Sequence, residues 1–243
     1  MDVASLGTIL GVWAHPDDDI FLSAGLMAAA VRNGQRVVDV TATRGEGGSM
    51  DEERWPPGSM GEVRTGELLR SLELLGVQEH RFLEGPVDID METPLDEAGA
   101  AQVRAIVEQV QPDTILTFGP DGMTGHEAHK DVSRWATDAF EAVGRPGSRL
   151  CYATQKPAFV REVVPQLERF NIFKPGSPPE TAEDELAIDF VCDEALLALK
   201  TKSLEAHESQ IEGLLEVFGE EGLQRFLRDE SYRDSGRRPG GEA

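Results

Sequence analysis

Residues 8–42, TILGVWAHPDDDIFLSAGLMAAAVRNGQRVVDVTA, hold the pattern that decides the fold. Thr8 to Trp13 is a short apolar, partly β-branched run that reads as a strand. Ile20 to Arg32 is rich in Ala and Leu and reads as a helix, and Asn33 and Gly34 suit a left-handed cap at its end. Arg36 to Ala42 is a second strand. Strand, helix and strand in succession is the mark of a βαβ unit, and hence of a parallel sheet.

Outward from this stretch the alternation continues. Glu62 to Leu75 carries apolar residues at helical spacing and is closed by Gly76, and His80 to Leu83 is a short third strand. Asp96 to Val110 is a helix stopped by Pro112, Thr114 to Phe118 a buried-type strand, His126 to Val143 a helix and Arg149 to Thr154 a fifth strand. The Pro-rich, acidic segment from Asn171 to Glu185 marks a surface excursion before a strand near Leu186 to Phe190. Helices over Glu194 to His207 and Gln210 to Arg228 follow, with no internal repeat. The expected architecture is α/β: a Rossmann-like, doubly wound, mostly parallel sheet with helices on both faces. We expect a single domain over residues 1–234, with 235–243 a Gly-rich, charged and disordered tail.

Composition narrows the classes of function. A hydrophobic fraction of 40% and a charged fraction of 28% match an ordinary globular chain, which argues against disorder and membrane residence. The first residues lack a basic leader, and no apolar run reaches transmembrane length. Cys151 and Cys192 have no metal-like spacing, so a reduced, cytoplasmic setting is expected. A net charge of -22 repels phosphate backbones and anionic lipids, which argues against nucleic acid and membrane as partners. The expected partner is a neutral or cationic small molecule, and a homo-oligomer is compatible with the sequence.

In a doubly wound sheet the chain reverses direction so that strand four lies beside strand one, and the crevice at that switch point binds ligands. Metal-type residues fall in the two turns concerned: Ala14-His15-Pro16-Asp17-Asp18-Asp19 after the first strand, and Gly125-His126-Glu127-Ala128-His129 after the fourth. Three of the five histidines lie there. Each turn alone has a plain explanation, since aspartates cap helices and an i, i+3 histidine pair is a helix face. Together they offer what a catalytic zinc requires, about three protein ligands with one position left open. His15, one of the aspartates and His129 would supply them.

The Ala14 to Asp19 turn resembles the AHPDDE signature of the PIG-L/LmbE-like N-acetylglucosaminyl deacetylases. Thr43-Arg44-Gly45-Glu46 resembles that family's GE loop, and Arg64 with Glu67 and Leu75-Gly76 its R-x-x-E...LG helix. Gly125 to His129 resembles its G-H-x-x-H turn and His207 to Gln210 its H-x-S-Q element, so the likeness runs from Ile9 to Gln210. The resemblance implies one zinc per chain held by His15, Asp18 and His129, with Asp17 as general base and His126 stabilising the tetrahedral intermediate. It further implies that Glu46, Arg64 and Asp88 contact an amino-sugar conjugate. Two positions depart from the pattern: Asp19 stands where the family has Glu, and Ala128 where many members have an Asp that orients the first histidine of the turn.

The expected reaction is zinc-dependent hydrolysis of an N-acyl amide, with N-deacetylation of an N-acetylglucosamine-containing small molecule foremost. An amide is a poor electrophile with a poor leaving group, so the site needs an activated water, an oxyanion stabiliser and a proton donor for the amine. Zinc supplies the first two, Asp17 takes the water proton, and a cationic His126 is expected to bond the oxyanion. The Gly45 to Gly61 loop, with Trp55, is a candidate lid that stacks on the sugar, while His80 and His207 read as packing residues. An amidase acting on a sugar thiol conjugate stays open. Two rivals are weaker: a non-haem iron oxygenase using His15, Asp17 and a remote histidine, against which the strand–helix alternation argues, and a nucleotide-binding module, whose phosphates need N–H donors where the first turn presents three aspartates.

Overall fold

In a computed structural model, residues 1–240 are described. They form a seven-stranded sheet in the order β3-β2-β1-β4-β5-β7-β6. The strands are β1 (Ile9–Trp13), β2 (Val37–Thr41), β3 (Glu79–Phe82), β4 (Thr114–Phe118), β5 (Arg149–Thr154), β6 (Ile188–Val191) and β7 (Asp229–Asp234). The first five pair in parallel, and β7 runs antiparallel between β5 and β6. Strand β4 therefore does lie beside β1, with Ile9 opposite Thr114 and Gly11 opposite Leu116.

Helices cover both faces. α1 (Asp18–Arg32) and α2 (Met60–Leu75) pack with α7 (Glu194–Glu205), which also meets α8 (Glu208–Leu227). On the other face α3 (Ala98–Val110) packs against α4 (Glu127–Val143). Two short helices, α5 (Pro157–Glu162) and α6 (Val164–Leu167), follow β5 where the sequence marks no element. Strands β1, β2 and β4 are buried at every position, as expected of strands covered on both faces. Trp13 packs edge-on against Phe118 at 5.3 Å beneath the switch point.

The alternation expected from sequence holds, with helix starts moved by one or two residues. α1 begins at Asp18 rather than Ile20 because the acidic turn is itself its N-terminus. Strand β7 was not expected: DESYRD lacks alternating apolar residues, yet Glu230, Ser231 and Tyr232 are all buried. Beyond it, the Ser235 N–H donates to the Leu150 carbonyl (3.0 Å) and the Gly240 N–H to the Glu141 carbonyl (2.7 Å). Of the segment 235–243, residues 241–243 lie outside those described. No helix among the described residues is long and apolar enough to cross a membrane.

Candidate metal centre and its cavity

The turn joining β1 to α1 is held in an unusual shape. Asp17 takes φ 117°, ψ -26°, a region that non-glycine residues enter only under strain, and such strain is concentrated at functional sites. The His15 N–H donates to Asp18 Oδ2 (2.7 Å), the Asp17 N–H to Asp19 Oδ1 (3.3 Å), and the Ile20 and Phe21 N–H groups to the Asp17 carbonyl (2.9 and 3.0 Å). Arg64, reaching from α2, donates from Nη2 to the Pro16 carbonyl (2.7 Å) and lies 3.2 Å from Asp17 Oδ2.

The second turn enters from β4. His126 is the residue before α4, and its Nδ1 accepts the Ala128 N–H (3.2 Å). The backbone of Ala128 thus orients the histidine that an Asp side chain orients in the family pattern. Phe118 stacks on His129 at 4.1 Å, and the Gly122 carbonyl lies 2.9 Å from His129 Nδ1. That bond puts the ring proton on Nδ1 and leaves Nε2 a free lone pair.

This lone pair lies 3.0 Å from His15 Nδ1 and 3.4 Å from Asp18 Oδ1, and Asp18 Oδ2 lies 3.5 Å from His15 Nδ1. Two imidazole nitrogens and a carboxylate converging so closely are the donor set of an open zinc site, and the three residues fit that ion. A second grouping, His15, Asp88 and His126, uses His15 Nε2, which lies 3.4 Å from Asp88 Oδ1. It fits less well. Since His126 Nδ1 accepts a backbone N–H, its neutral ring carries the proton on Nε2, the atom 3.9 Å from Asp88, which makes that atom a donor and not a ligand.

The charges are set by burial and by one another. Burial lifts Asp17 to about 7, against the pull of Arg64. Burial also works against Asp18, but His129 and His15 outweigh it and hold its carboxyl well below the usual carboxylate range. His15 is lifted to about 9, because Asp18 and Asp88 overcome its desolvation. Burial, reinforced by neighbouring histidines, pushes His126 down to about 3, and burial takes His129 to about 4. With its Nδ1 accepting the Ala128 N–H, a neutral His126 carries its proton on Nε2 and is a donor there, where the sequence reading has a cation.

The cavity over these groups has a volume of about 470 Å³. His15, Asp17, Asp18, Arg64, Asp88, His126 and His129 all line it. Glu46 does not: its carboxylate accepts the Arg44 N–H (3.3 Å) and the Asp88 N–H (3.1 Å), tying two loops together. From the Gly45 to Gly61 loop, Gly47, Gly48 and Met50 reach the cavity, whereas Trp55 lines a separate groove of about 340 Å³ and stacks on Arg54 at 4.7 Å. Glu67 accepts the Ser209 N–H (2.8 Å) and hydroxyl (2.7 Å), so the α2 and H-x-S-Q elements meet structurally. His80 sits against Thr41 and Asp39, and His207 is fully buried. Sequence reasoning missed the phenylalanines of α5, the 170s segment and α8 that wall one side of the cavity.

Fold and crevice define a doubly wound α/β protein with a candidate metal centre at its switch point. Residues 10–140 match the PIG-L family, described as GlcNAc-PI de-N-acetylase, and the chain belongs to that family. It is 33% identical over 168 residues to a 1D-myo-inositol 2-acetamido-2-deoxy-alpha-D-glucopyranoside deacetylase of Kineococcus radiotolerans, covering 58% of this chain and 46% of that protein. The chain spans about half the length of the first such relatives it matches. Among solved structures it is similar to the N,N'-diacetylchitobiose deacetylase of Pyrococcus horikoshii, with a TM-score of 0.65, 20% identity, and coverage of 96% of this chain and 87% of that one. It is also similar to the 4-carboxy-2-hydroxymuconate hydratase of Pseudomonas putida, with a TM-score of 0.62, 14% identity, and coverage of 98% and 99%. At these identities the two structures share the fold alone.

Proposed function

We propose that this chain is a zinc-dependent amide hydrolase that removes an N-acyl group from an amino sugar, with N-acetylglucosamine conjugates as the leading substrates. The observation that carries the reading is the convergence of His15 Nδ1, His129 Nε2 and the Asp18 carboxylate beside an Asp17 that takes no part in that set. The names of the relatives, deacetylases of a 2-acetamido sugar, support it.

Bound by His15, Asp18 and His129, zinc would supply an activated water and polarise the amide carbonyl. Asp17 accepts the water proton: its carboxyl, lifted to about 7, is poised near neutral pH, and Arg64 holds it in place. His126 donates from Nε2 to the carbonyl oxygen as charge develops there, a contribution of about 3 kcal/mol for a preorganised donor. Its orientation is fixed by the Ala128 N–H, so no reorganisation accompanies the step. Asp17 then returns its proton to the departing amine nitrogen. Arg64 and Asp88 present polar groups to the sugar from the side of the cavity beyond β2 and β3.

The test is release of free amine from a panel of N-acylated amino sugars by zinc-loaded protein, together with metal analysis of His15→Ala and His129→Ala. Amine release, and near-complete loss of zinc in both variants, is expected. Full zinc occupancy in both would dismiss the site, and an inert panel would dismiss the activity.

A further inference from the structure

Six of the ten phenylalanines in the chain, Phe21, Phe118, Phe159, Phe170, Phe173 and Phe226, line this one cavity. Phe118 stacks on His129, but Phe21, Phe159 and Phe226 form a wall of their own, in which Phe226 lies 5.7 Å from Phe21 and 5.4 Å from Phe159. Leu214 and Ile172 line the same cavity, as do the polar groups of Gln155, Asn171 and Asp229. One aromatic ring can stack on the face of a sugar. A wall of them leaves hydroxyls without partners, and burying an unpaired hydroxyl is costly. Such a wall suits an alkyl chain.

Topology says which part of the substrate would meet it. The candidate metal centre stands at the β1–β4 junction. Arg64 and Asp88 reach it from the segments that follow β2 and β3, on one side of that junction, whereas Phe159 follows β5 and Phe226 precedes β7, on the other; the 170s segment bridges the two, with Lys174 Nζ donating to the Met91 carbonyl (3.2 Å). An amide has two substituents that leave its carbon and nitrogen in opposite directions. With the sugar on the polar side, the acyl chain runs toward the phenylalanines. We propose that the preferred substrate bears an N-acyl group several carbons longer than acetyl, whose tail is bound by the Phe21, Phe159 and Phe226 wall. The inference rests on the reading of the centre as an amide hydrolase.

The experiment is a series of N-acetyl, N-butanoyl, N-hexanoyl and N-octanoyl glucosamines with zinc-loaded protein. Each added methylene should raise kcat/KM about fourfold, the factor corresponding to burial of one CH₂, until the wall is covered. The gain should fall on KM, because the tail is bound equally in ground and transition states. In Phe226→Asp, and in the milder Phe159→Ser should the first fail to fold, the ratio of hexanoyl to acetyl kcat/KM should collapse toward 1. A wild-type ratio below 2 with acetyl cleaved overturns this proposal and leaves the hydrolase reading intact. A chain-length gain that appears with alkyl glycosides of N-acetylglucosamine, and not with acyl chains, overturns it also. If no member of the series is cleaved, the hydrolase reading fails, and calorimetry with octanoate against acetate examines the wall alone. Tighter binding of octanoate that Phe226→Asp removes supports an alkyl-chain site, and equal binding overturns it.

Discussion

Two clusters of buried charge meet helix α1, and they differ in how completely their polar atoms are paired. Lys200 of α7 and Glu230 of β7 are fully buried and 2.6 Å apart. Lys200 Nζ also donates to the Phe21 carbonyl (2.9 Å), while the two oxygens of Glu230 accept the Gly25 and Leu26 N–H groups (2.7 and 2.8 Å). The Tyr232 hydroxyl donates to the Leu22 carbonyl (2.9 Å). In the metal-site cluster, by contrast, His15 Nε2, Asp88 Oδ1 and Arg64 Nε find no hydrogen-bond partner, and Asp17 is strained. Full satisfaction marks a cluster that holds the fold. Open valences marks one kept ready for a ligand, since a natural protein leaves few buried polar atoms unpaired.

The largest expected effect breaks the first cluster. Lys200→Met removes one partner of a buried pair and leaves the Glu230 carboxylate uncompensated, a loss of about 3–5 kcal/mol. For a chain of this size that lowers Tm by about 6–20 °C. Adding Glu230→Gln removes the stranded charge and should recover much of the loss. Zinc content per folded chain should stay at the wild-type level. Calorimetry that finds Lys200→Met as stable as wild type would end the contrast.

The second prediction breaks the other cluster and has the opposite signature. Asp17→Asn keeps the shape of the turn, because Asn tolerates positive φ, and should lower kcat about 10²-fold or more at matched zinc content while Tm does not fall. Since Asp17 must be ionised to act and its carboxyl is lifted to about 7, wild-type kcat/KM should climb with pH through the acidic limb. That limb should be lost or displaced in the variant. His126, already neutral well below this range, contributes no alkaline limb. Equal kcat for Asp17→Asn and wild type would remove Asp17 as the base.

The third sharpens the comparison at a residue that belongs to neither cluster. Asp39 of β2 is fully buried with His80 Nε2 3.7 Å from its Oδ2, and burial, aided by the charge of Asp18 against the pull of Thr41 and Trp13, lifts its carboxyl to about 8. The unfolded chain releases this proton near pH 4 and the folded chain only near 8, so the contribution of Asp39 to stability should fall across that window and level off above it. Asp39→Asn carries no such proton. Its Tm should gain on wild type steadily from pH 4 to pH 8, and a constant difference across the range would show that Asp39 is ionised in the fold.

The contrast between the clusters also explains what could be read in the sequence. The metal-type residues were legible because His15, Asp17, Asp18, His126 and His129 crowd into two short turns that the βαβ alternation places side by side. Lys200 and Glu230 were not, because the Lys200 and Lys202 pair in the run ALLALKTKSL reads as a solvated face, and the partner of Lys200 lies in a strand without apolar alternation. Strand β7 escaped for the same reason: its buried positions hold Ser231 and Glu230, and the fitness of Glu230 for the interior depends on α1 and α7. Glu46 sits at a motif position but braces two loops, a distinction made by its contacts with the Arg44 and Asp88 N–H groups. The phenylalanine wall draws on α1, α5, the 170s segment and α8, and a stripe of Phe on any one helix reads as ordinary core.

The smallest expected effect concerns the loop between Gly45 and Gly61. The sequence reading of a lid that stacks Trp55 on a sugar predicts a marked rise in KM for Trp55→Ala. In the structure Trp55 instead lines a groove with Glu62, Arg70 and Glu208, and its neighbour Arg54 lies 2.8 Å from Glu212. Both salt-bridge partners of Arg54, Glu208 and Glu212, are exposed and belong to α8, so the tip of the loop is held by surface ion pairs, each worth about 0–1 kcal/mol. So shallow a tether lets the tip move at little cost. Trp55→Ala should therefore leave kcat/KM within about twofold, since the side chain lines the separate groove and not the cavity, and a surface change of this kind shifts stability by about 0.5 kcal/mol or less. Gly48, by contrast, is tied to α8 through the Gln210 side chain, whose Nε2 donates to the Gly48 carbonyl at 2.9 Å. Gln210→Ala frees the cavity-lining end of the loop and should raise KM more than Trp55→Ala does. The reverse ranking, measured on one N-acyl sugar, would restore the tryptophan as a substrate contact and require the loop to close over the cavity.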